Sequence, residues 1–145
     1  MPRVSVLLTT FNRPQFIKQA IDSVLNQTYQ DFELLVLDDD STDEKHKEIL
    51  MSYWNTPKVW ILKSSVLPGT RKDLCRYAHM INYGLKISTG EFIAYLCDDD
   101  YFLPEKLEKV VSYFDERPDV NIVYGEQRKE YMDQNGNLTG QVEIR

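Results

Sequence analysis

Apolar residues along this chain fall into two alternating kinds of block. Val4 to Thr10, Phe32 to Leu37 and Phe92 to Leu96 are short runs without a polar face. Such runs suit strands buried on both faces of a parallel sheet. Val59-Trp60-Ile61-Leu62 is a shorter run of the same kind. Between them the apolar positions recur at helical spacing. Phe16, Ile17, Ala20, Ile21, Val24 and Leu25 predict a helix over 14–26, with Asn12 as its N-cap and Pro14 in its first turn. Ser41-Thr42-Asp43 can cap a second helix that runs to about Tyr53. Leu74, Tyr77, Ala78, Ile81 and Leu85 predict a third over about 72–87, and Leu107, Val110, Val111 and Phe114 a fourth after Pro104-Glu105. Val120 to Tyr124 reads as the start of a fifth strand that continues to about Met132. Asn135-Gly136-Asn137 is a hairpin signal, and Leu138 to Ile144 is the return strand.

Strands that alternate with helices predict an α/β fold, a mostly parallel central sheet with helices on both faces, followed by a β-hairpin. In such sheets ligands bind outside the carboxyl ends of the strands. Two of the predicted strands end in three consecutive carboxylates, Asp38-Asp39-Asp40 and Asp98-Asp99-Asp100. If these strands are parallel, both triplets lie on one edge of the sheet. Adjacent carboxylates repel, and burying one unpaired costs several kcal/mol. Water or a cation must therefore hold them.

Composition narrows the classes. The 145 residues suit a single domain over 1–145, and 42% hydrophobic content is enough for a core. A net charge of −6 argues against nucleic acid, which wants a basic surface. No apolar run approaches the roughly 20 residues of a membrane span. The chain enters its first strand with no leader pattern, and two cysteines, Cys75 and Cys97, make neither a disulfide framework nor a zinc pattern. Reduced thiols in a cytoplasmic protein are the expectation.

The acidic edge has no glycine-rich dinucleotide fingerprint, no P-loop and no nucleophile elbow beside it. It does have a basic loop, Thr70-Arg71-Lys72, with Arg76 about a turn later. Oxygen ligands select hard ions, Mg²⁺ or Mn²⁺. Such an ion completes its shell with phosphate oxygens and can carry the charge of a leaving diphosphate. Arg71 is the natural second counter-charge. Each feature alone is more often solvated surface, capping or packing. Together they point to a nucleotide-diphosphate site.

Several blocks then resemble family 2 glycosyltransferases. They are Val4 through Arg13, Ala20 through Thr28, Phe32 through Asp43, Asn82-Tyr83-Gly84, Gly90 through Leu96, and Asp99-Asp100 with Pro104-Glu105-Lys106-Leu107. They occur in order and at the family's spacing over nearly the whole chain. Arg71 through Arg76-Tyr77-Ala78 to Ile81-Asn82 is similar to the branch that serves spore-coat polysaccharide biosynthesis. The resemblance implies a GT-A fold and inverting transfer of a sugar from a UDP- or dTDP-sugar to a glycan acceptor, assisted by Mg²⁺ or Mn²⁺. By position it places Thr9 and Phe11 along the nucleotide base and Asp39 on a base N–H. Arg13 and Arg71 fall near base and diphosphate, Asp98 at the ribose, and Asp99, with Asp100 as helper, at the metal.

The sequence departs from the family pattern in three ways. Phe11 stands where Tyr is commoner. Cys97 replaces the first Asp of Leu-Asp-x-Asp-Asp, which leaves the ribose contact to Asp98. Ile81 replaces an Arg before Asn82, so Arg71 or Arg76 must supply that charge. No general base is found, and an inverting displacement needs one. The expectation is therefore a donor-binding half, truncated before the acceptor-binding half, with the base beyond Arg145. The strand edge at the hairpin invites pairing with a second copy. Two other classes stay open: a non-catalytic nucleotide-binding or assembly module, and a nucleotidyltransferase, which would lack its usual glycine-rich triphosphate loop.

Overall fold

A computed structural model describes residues 1–65, 75–133 and 137–144. Two compact units divide the chain, Met1–Lys109 and Val110–Arg145. The first holds β1 (Val4–Thr10), α1 (Ile17–Leu25), β2 (Phe32–Asp38), α2 (Glu44–Ser52), β3 (Val59–Lys63), α3 (Arg76–Ile87) and β4 (Phe92–Cys97). Helix α4 (Lys106–Glu116) spans the boundary, and β5 (Arg128–Met132) and β6 (Leu138–Ile144) belong to the second.

The four strands of the first unit pair in the order β3-β2-β1-β4, all parallel. β1 and β2 occupy the centre, which is why their sequences are apolar on both faces. All seven residues of β1 are buried. α1 sends Ile17, Ala20, Ile21 and Val24 into the core and packs on β1 beside α2. α3 packs on β1 and β2, with Met80 among Leu7, Leu35 and Leu37. Truncating one such buried leucine to alanine costs about 2–5 kcal/mol.

Two glycines set how closely the layers approach. A Cβ on Gly84 of α3 would lie 2.8 Å from a methyl of Leu37 and 3.2 Å from Leu7. One on Gly90 would lie 2.6 Å from the backbone N of Ser5, which cannot yield. The Asn-Tyr-Gly and Gly-Glu-Phe blocks of the sequence are thus packing requirements of α3 and of the entry to β4.

Chain order fixes where a ligand can sit. β1, β2 and β3 step outward in one direction, then the chain crosses back to place β4 on the other side of β1. Right-handed crossovers put helices on both faces of such a sheet. The β1/β4 pair is the switch point, and its carboxyl end is the crevice where doubly wound sheets take ligands. Register brings the ends into line, with Thr10 opposite Asp38 and Thr9 opposite Cys97.

Three sequence expectations need correction. Asn12 does not cap α1, whose N-cap is Phe16 with no side-chain cap bond. Asn12 adopts a left-handed φ of 50° and turns its side chain onto the loop after β2. β4, one of the sheet's two edge strands, is not buried on both faces, because Ile93 and Tyr95, which share one face, are exposed. The fifth strand does not begin at Val120. Residues 120–127 form no strand, and Ile122 and Tyr124 are 81% and 92% exposed. A strand is defined by its ladder, and only Arg128–Met132 finds one, in antiparallel register with β6. That hairpin is braced by Tyr131, whose hydroxyl donates to Glu143 at 2.9 Å. Its predicted turn, Asn135-Gly136, lies outside the described residues.

Candidate functional site

Both acidic triplets stand at the carboxyl edge of the first unit's sheet, and three loops stitch that edge together. Asn12 leaves β1 and uses its carboxamide oxygen to accept from the N–H groups of Thr42 and Asp43, at 2.7 and 2.9 Å. Its own N–H donates to Ser41 Oγ at 3.0 Å. Asp43 then caps α2, accepting from the His46 N–H at 2.8 Å. The segment after Asp100 is held by α1's far end. Gln27 donates to the Leu103 carbonyl at 2.8 Å and accepts from the Leu107 N–H at 2.9 Å.

In the first triplet every carboxylate has a partner of its own. Asp38, the last residue of β2, is buried and accepts from the Ser41 hydroxyl at 2.5 Å and the Ser41 N–H at 3.2 Å. Asp39 receives Arg76 Nε at 2.7 and 2.9 Å and Nη2 at 2.6 Å. Both residues are buried, and the hydrogen bond to Asp39 holds the Arg76 guanidinium's pKa above its ordinary value, against desolvation. Asp40, at φ 61°, meets Lys63 at the end of β3, 2.8 Å away.

The second triplet is divided. Asp98 is buried and tied to the exit of β1. Its Oδ2 accepts from the Thr10 hydroxyl at 2.8 Å and the Phe11 N–H at 3.2 Å, and its Oδ1 from Arg13 Nη1 at 3.2 Å. The same Arg13 nitrogen reaches Asp99 Oδ2 at 2.5 Å, where both side chains are nearly half exposed. No cation among the described residues pairs with Asp100. Burial first, then the charges of Asp99 and Asp98, push its carboxyl above the usual aspartate range.

Cys97 Sγ, an Asp99 oxygen and an Asp100 oxygen lie within 4.8 Å of one another. Opposed ligands of an octahedral ion at 2.0–2.1 Å are roughly 4 Å apart, so a small closure of these side chains would bring the two carboxylates to one hard ion. The donor set therefore fits a divalent cation held by one or two carboxylates. Tyr77 lies 3.7 Å from Cys97 Sγ, and burial together with that contact pushes its phenol up to about 12.

The structure thus brings Arg13, Asp98 and Asp99 into direct contact and puts Asp100 beside them. Thr9 is buried in β1 opposite Cys97, and Phe11 is half-buried at the exit of β1. Asp39 stands at the exit of β2 in the grip of Arg76, the residue that sequence pairs with the diphosphate loop. Arg71 lies outside the described residues. Sequence reasoning missed Thr10, Ser41 and His46. His46 and His79, the two histidines of the chain, have no metal-ligand spacing. The signal of His46 is its place three residues after the cap Asp43, which turns it into the sheet's edge. No helix among the described residues is long and apolar enough to cross a membrane.

Comparison with known proteins agrees with this architecture. Protein CgeD of Bacillus subtilis strain 168 is 34% identical over 134 residues, which is 92% of this chain and 31% of CgeD. The UDP-Glc:alpha-D-GlcNAc-diphosphoundecaprenol beta-1,3-glucosyltransferase WfgD of Escherichia coli is 33% identical over 122 residues, 84% of this chain and 44% of WfgD. Among solved structures, S. aureus TarS 1-349 in complex with UDP superposes with a TM-score of 0.66 at 28% identity, over 80% of this chain and 33% of that one. This chain accordingly spans less than half the length of these proteins. The four-stranded parallel sheet with its helices is the GT-A arrangement of those neighbours. A sequence profile described as "Glycosyl transferase family 2" matches residues 5–141, and the chain belongs to that family.

Proposed function

We propose that this chain is the donor-binding part of an enzyme that transfers a sugar from a nucleotide-diphosphate sugar to a glycan acceptor, with inversion and assisted by Mg²⁺ or Mn²⁺. The observation that carries the reading is the split second triplet at the β1/β4 switch point. A buried Asp98 is locked to β1, while Asp99 and Asp100 face outward with more negative charge than their one arginine neutralises. Charge of that kind at that edge recruits a hard cation and, through it, phosphate.

In this reading Thr9 and Phe11 line the nucleotide base, and Asp39 accepts from a base N–H. Arg76 keeps the Asp39 carboxylate oriented before the nucleotide arrives, so no reorganisation is needed at binding. Asp98 Oδ1 meets the ribose hydroxyls. Arg13, which already spans Asp98 and Asp99, swings to the diphosphate, with Arg71 as the second counter-charge. Asp99 and Asp100 hold the ion, which when bound supplies Lewis-acid stabilisation of the departing diphosphate.

A TarS structure is in complex with UDP, and WfgD carries UDP-Glc in its name, which supports a uridine donor here. Calorimetric titration of UDP, dTDP and GDP, with and without Mn²⁺, tests the reading. UDP or dTDP is expected to bind in a metal-dependent way, and Asp99→Ala to abolish the dependence. Absence of any nucleoside diphosphate binding in Mn²⁺ would overturn it. Cys97, in place of an aspartate, favours a second reading in which the fold binds nucleotide without transferring sugar. In that case a chain extended through the acceptor-binding half would bind UDP yet consume no UDP-sugar.

A further inference from the structure

His46 is fully buried at the start of α2, and its ring is the least explained polar group in the first unit. Nδ1 has no hydrogen-bond partner among the described residues. Nε2 lies 3.4 Å from Thr10 Oγ1 and 3.9 Å from Asp38 Oδ1, and only the first is within hydrogen-bond reach.

Proton bookkeeping assigns the ring. Asp98 Oδ2 is 2.8 Å from Thr10 Oγ1, and a carboxylate only accepts, so the Thr10 hydroxyl is the donor there. A hydroxyl has one proton. Towards His46, Thr10 can therefore only accept, and Nε2 must carry the hydrogen. Nδ1 has no acceptor to donate to among the described residues, so the ring's hydrogen belongs on Nε2. The Asp38 oxygen nearest to it is already engaged by the Ser41 hydroxyl at 2.5 Å.

We propose that His46 is a positioning residue for Asp98: its Nε2–H fixes the Thr10 hydroxyl rotor, which aims its proton at Asp98 Oδ2 and turns Oδ1 toward the ligand edge. The three groups form one directional line, His46 Nε2–H to Thr10 Oγ1–H to Asp98 Oδ2, all buried. Without the histidine the hydroxyl is no longer held to one rotor, and the steady donors to Asp98 among the described residues are the Phe11 N–H and the half-exposed Arg13. The inference rests on the donor-binding reading of Asp98.

The line is tested first on the ligand-free protein. Long-range ¹H–¹⁵N correlation spectra should show His46 protonated at Nε2 and bare at Nδ1. The Asp98 carboxyl ¹³C shift should move in His46→Leu and Thr10→Val but stay in place in His46→Gln, whose amide N–H can replace Nε2–H. A protonated Nδ1, or an Asp98 shift indifferent to Leu at 46, overturns the proposal. UDP titration in Mn²⁺ then reads the consequence. His46→Leu and Thr10→Val are each expected to weaken binding about tenfold, His46→Gln to stay within about twofold, and the double variant to be no worse than Thr10→Val. A folded His46→Leu that binds UDP as tightly as the unaltered chain also overturns it. If the unaltered chain binds no UDP, the donor-binding reading fails, and the spectra still decide whether His46 directs Asp98.

Discussion

The two acidic triplets are the same three residues at the ends of two parallel strands, and the fold treats them oppositely. In Asp38-Asp39-Asp40, Asp39 and Asp40 each have a cation of their own, Arg76 and Lys63, and Asp38 is held by the Ser41 hydroxyl and N–H. Asp98-Asp99-Asp100 shares one arginine between two members and leaves the third with a raised carboxyl. The first sits at the end of a central strand, where charge must be matched before the chain can fold. The second sits at the end of an edge strand, where water can carry some charge until a ligand does. A carboxylate count therefore does not locate a cation site. The local supply of counter-charge does.

The largest test of that contrast is stability. Arg76→Met takes the buried guanidinium away from the buried Asp39 carboxylate and should cost about 3–5 kcal/mol in urea denaturation. Adding Asp39→Asn should recover most of the loss. Arg13→Met removes a half-exposed partner and should cost at most about 1 kcal/mol. Equal losses from the two arginine substitutions would erase the distinction.

Ion binding provides the next test. Arg13 competes with any cation for Asp99, so Arg13→Met should raise affinity for Mn²⁺ alone several-fold in calorimetry without nucleotide, on the scale of one surface charge at close range. Lys63→Met removes a cation from the first triplet instead and should leave Mn²⁺ affinity unchanged. If Lys63→Met has the larger effect, the ion belongs to the other strand end.

Much of the fold was legible because it rests on period and on glycine. The unbroken apolar runs of β1 and β2 correctly report central strands, and Gly84 and Gly90 sit where a Cβ would strike Leu37 and Ser5. The ends of elements were less so. Asn12 has the chemistry of a cap for either neighbouring helix, and only the left-handed turn after β1 decides that it serves the loop into α2. Val120 to Tyr124 has strand composition, but a ladder partner is not a local property of sequence. In the site, the triplets announced themselves as charge. Which aspartate is matched depends on residues far along the chain, Arg76 for Asp39 and Thr10 for Asp98. No spacing rule connects a histidine at 46 to an aspartate at 98.

The smallest effect is the pH dependence of Asp100, and it runs opposite to ordinary acid denaturation. Its folded carboxyl is raised above the usual 3.8 by burial and by the charges of Asp99 and Asp98. Between those two midpoints the folded chain holds a proton that the unfolded chain has lost, so Asp100 lowers stability as pH rises through its folded midpoint. Glu33 has the other sign. Burial raises it, but hydrogen bonds from Ser5 and Thr89 outweigh that and lower it. It contributes stability above its unfolded value that is lost as pH falls through its folded one. Asp100→Asn isolates the first effect, and the stability gap between this variant and the unaltered chain should widen with rising pH. Asp99→Asn should move the Asp100 ¹³C titration midpoint down, because it removes the stronger of the two repelling charges. Mg²⁺ should move it further down in the unaltered chain than in Asp99→Asn. A midpoint that ignores Asp99 would leave burial alone as the cause, and the outer strand end would then hold no excess of charge for an ion to answer.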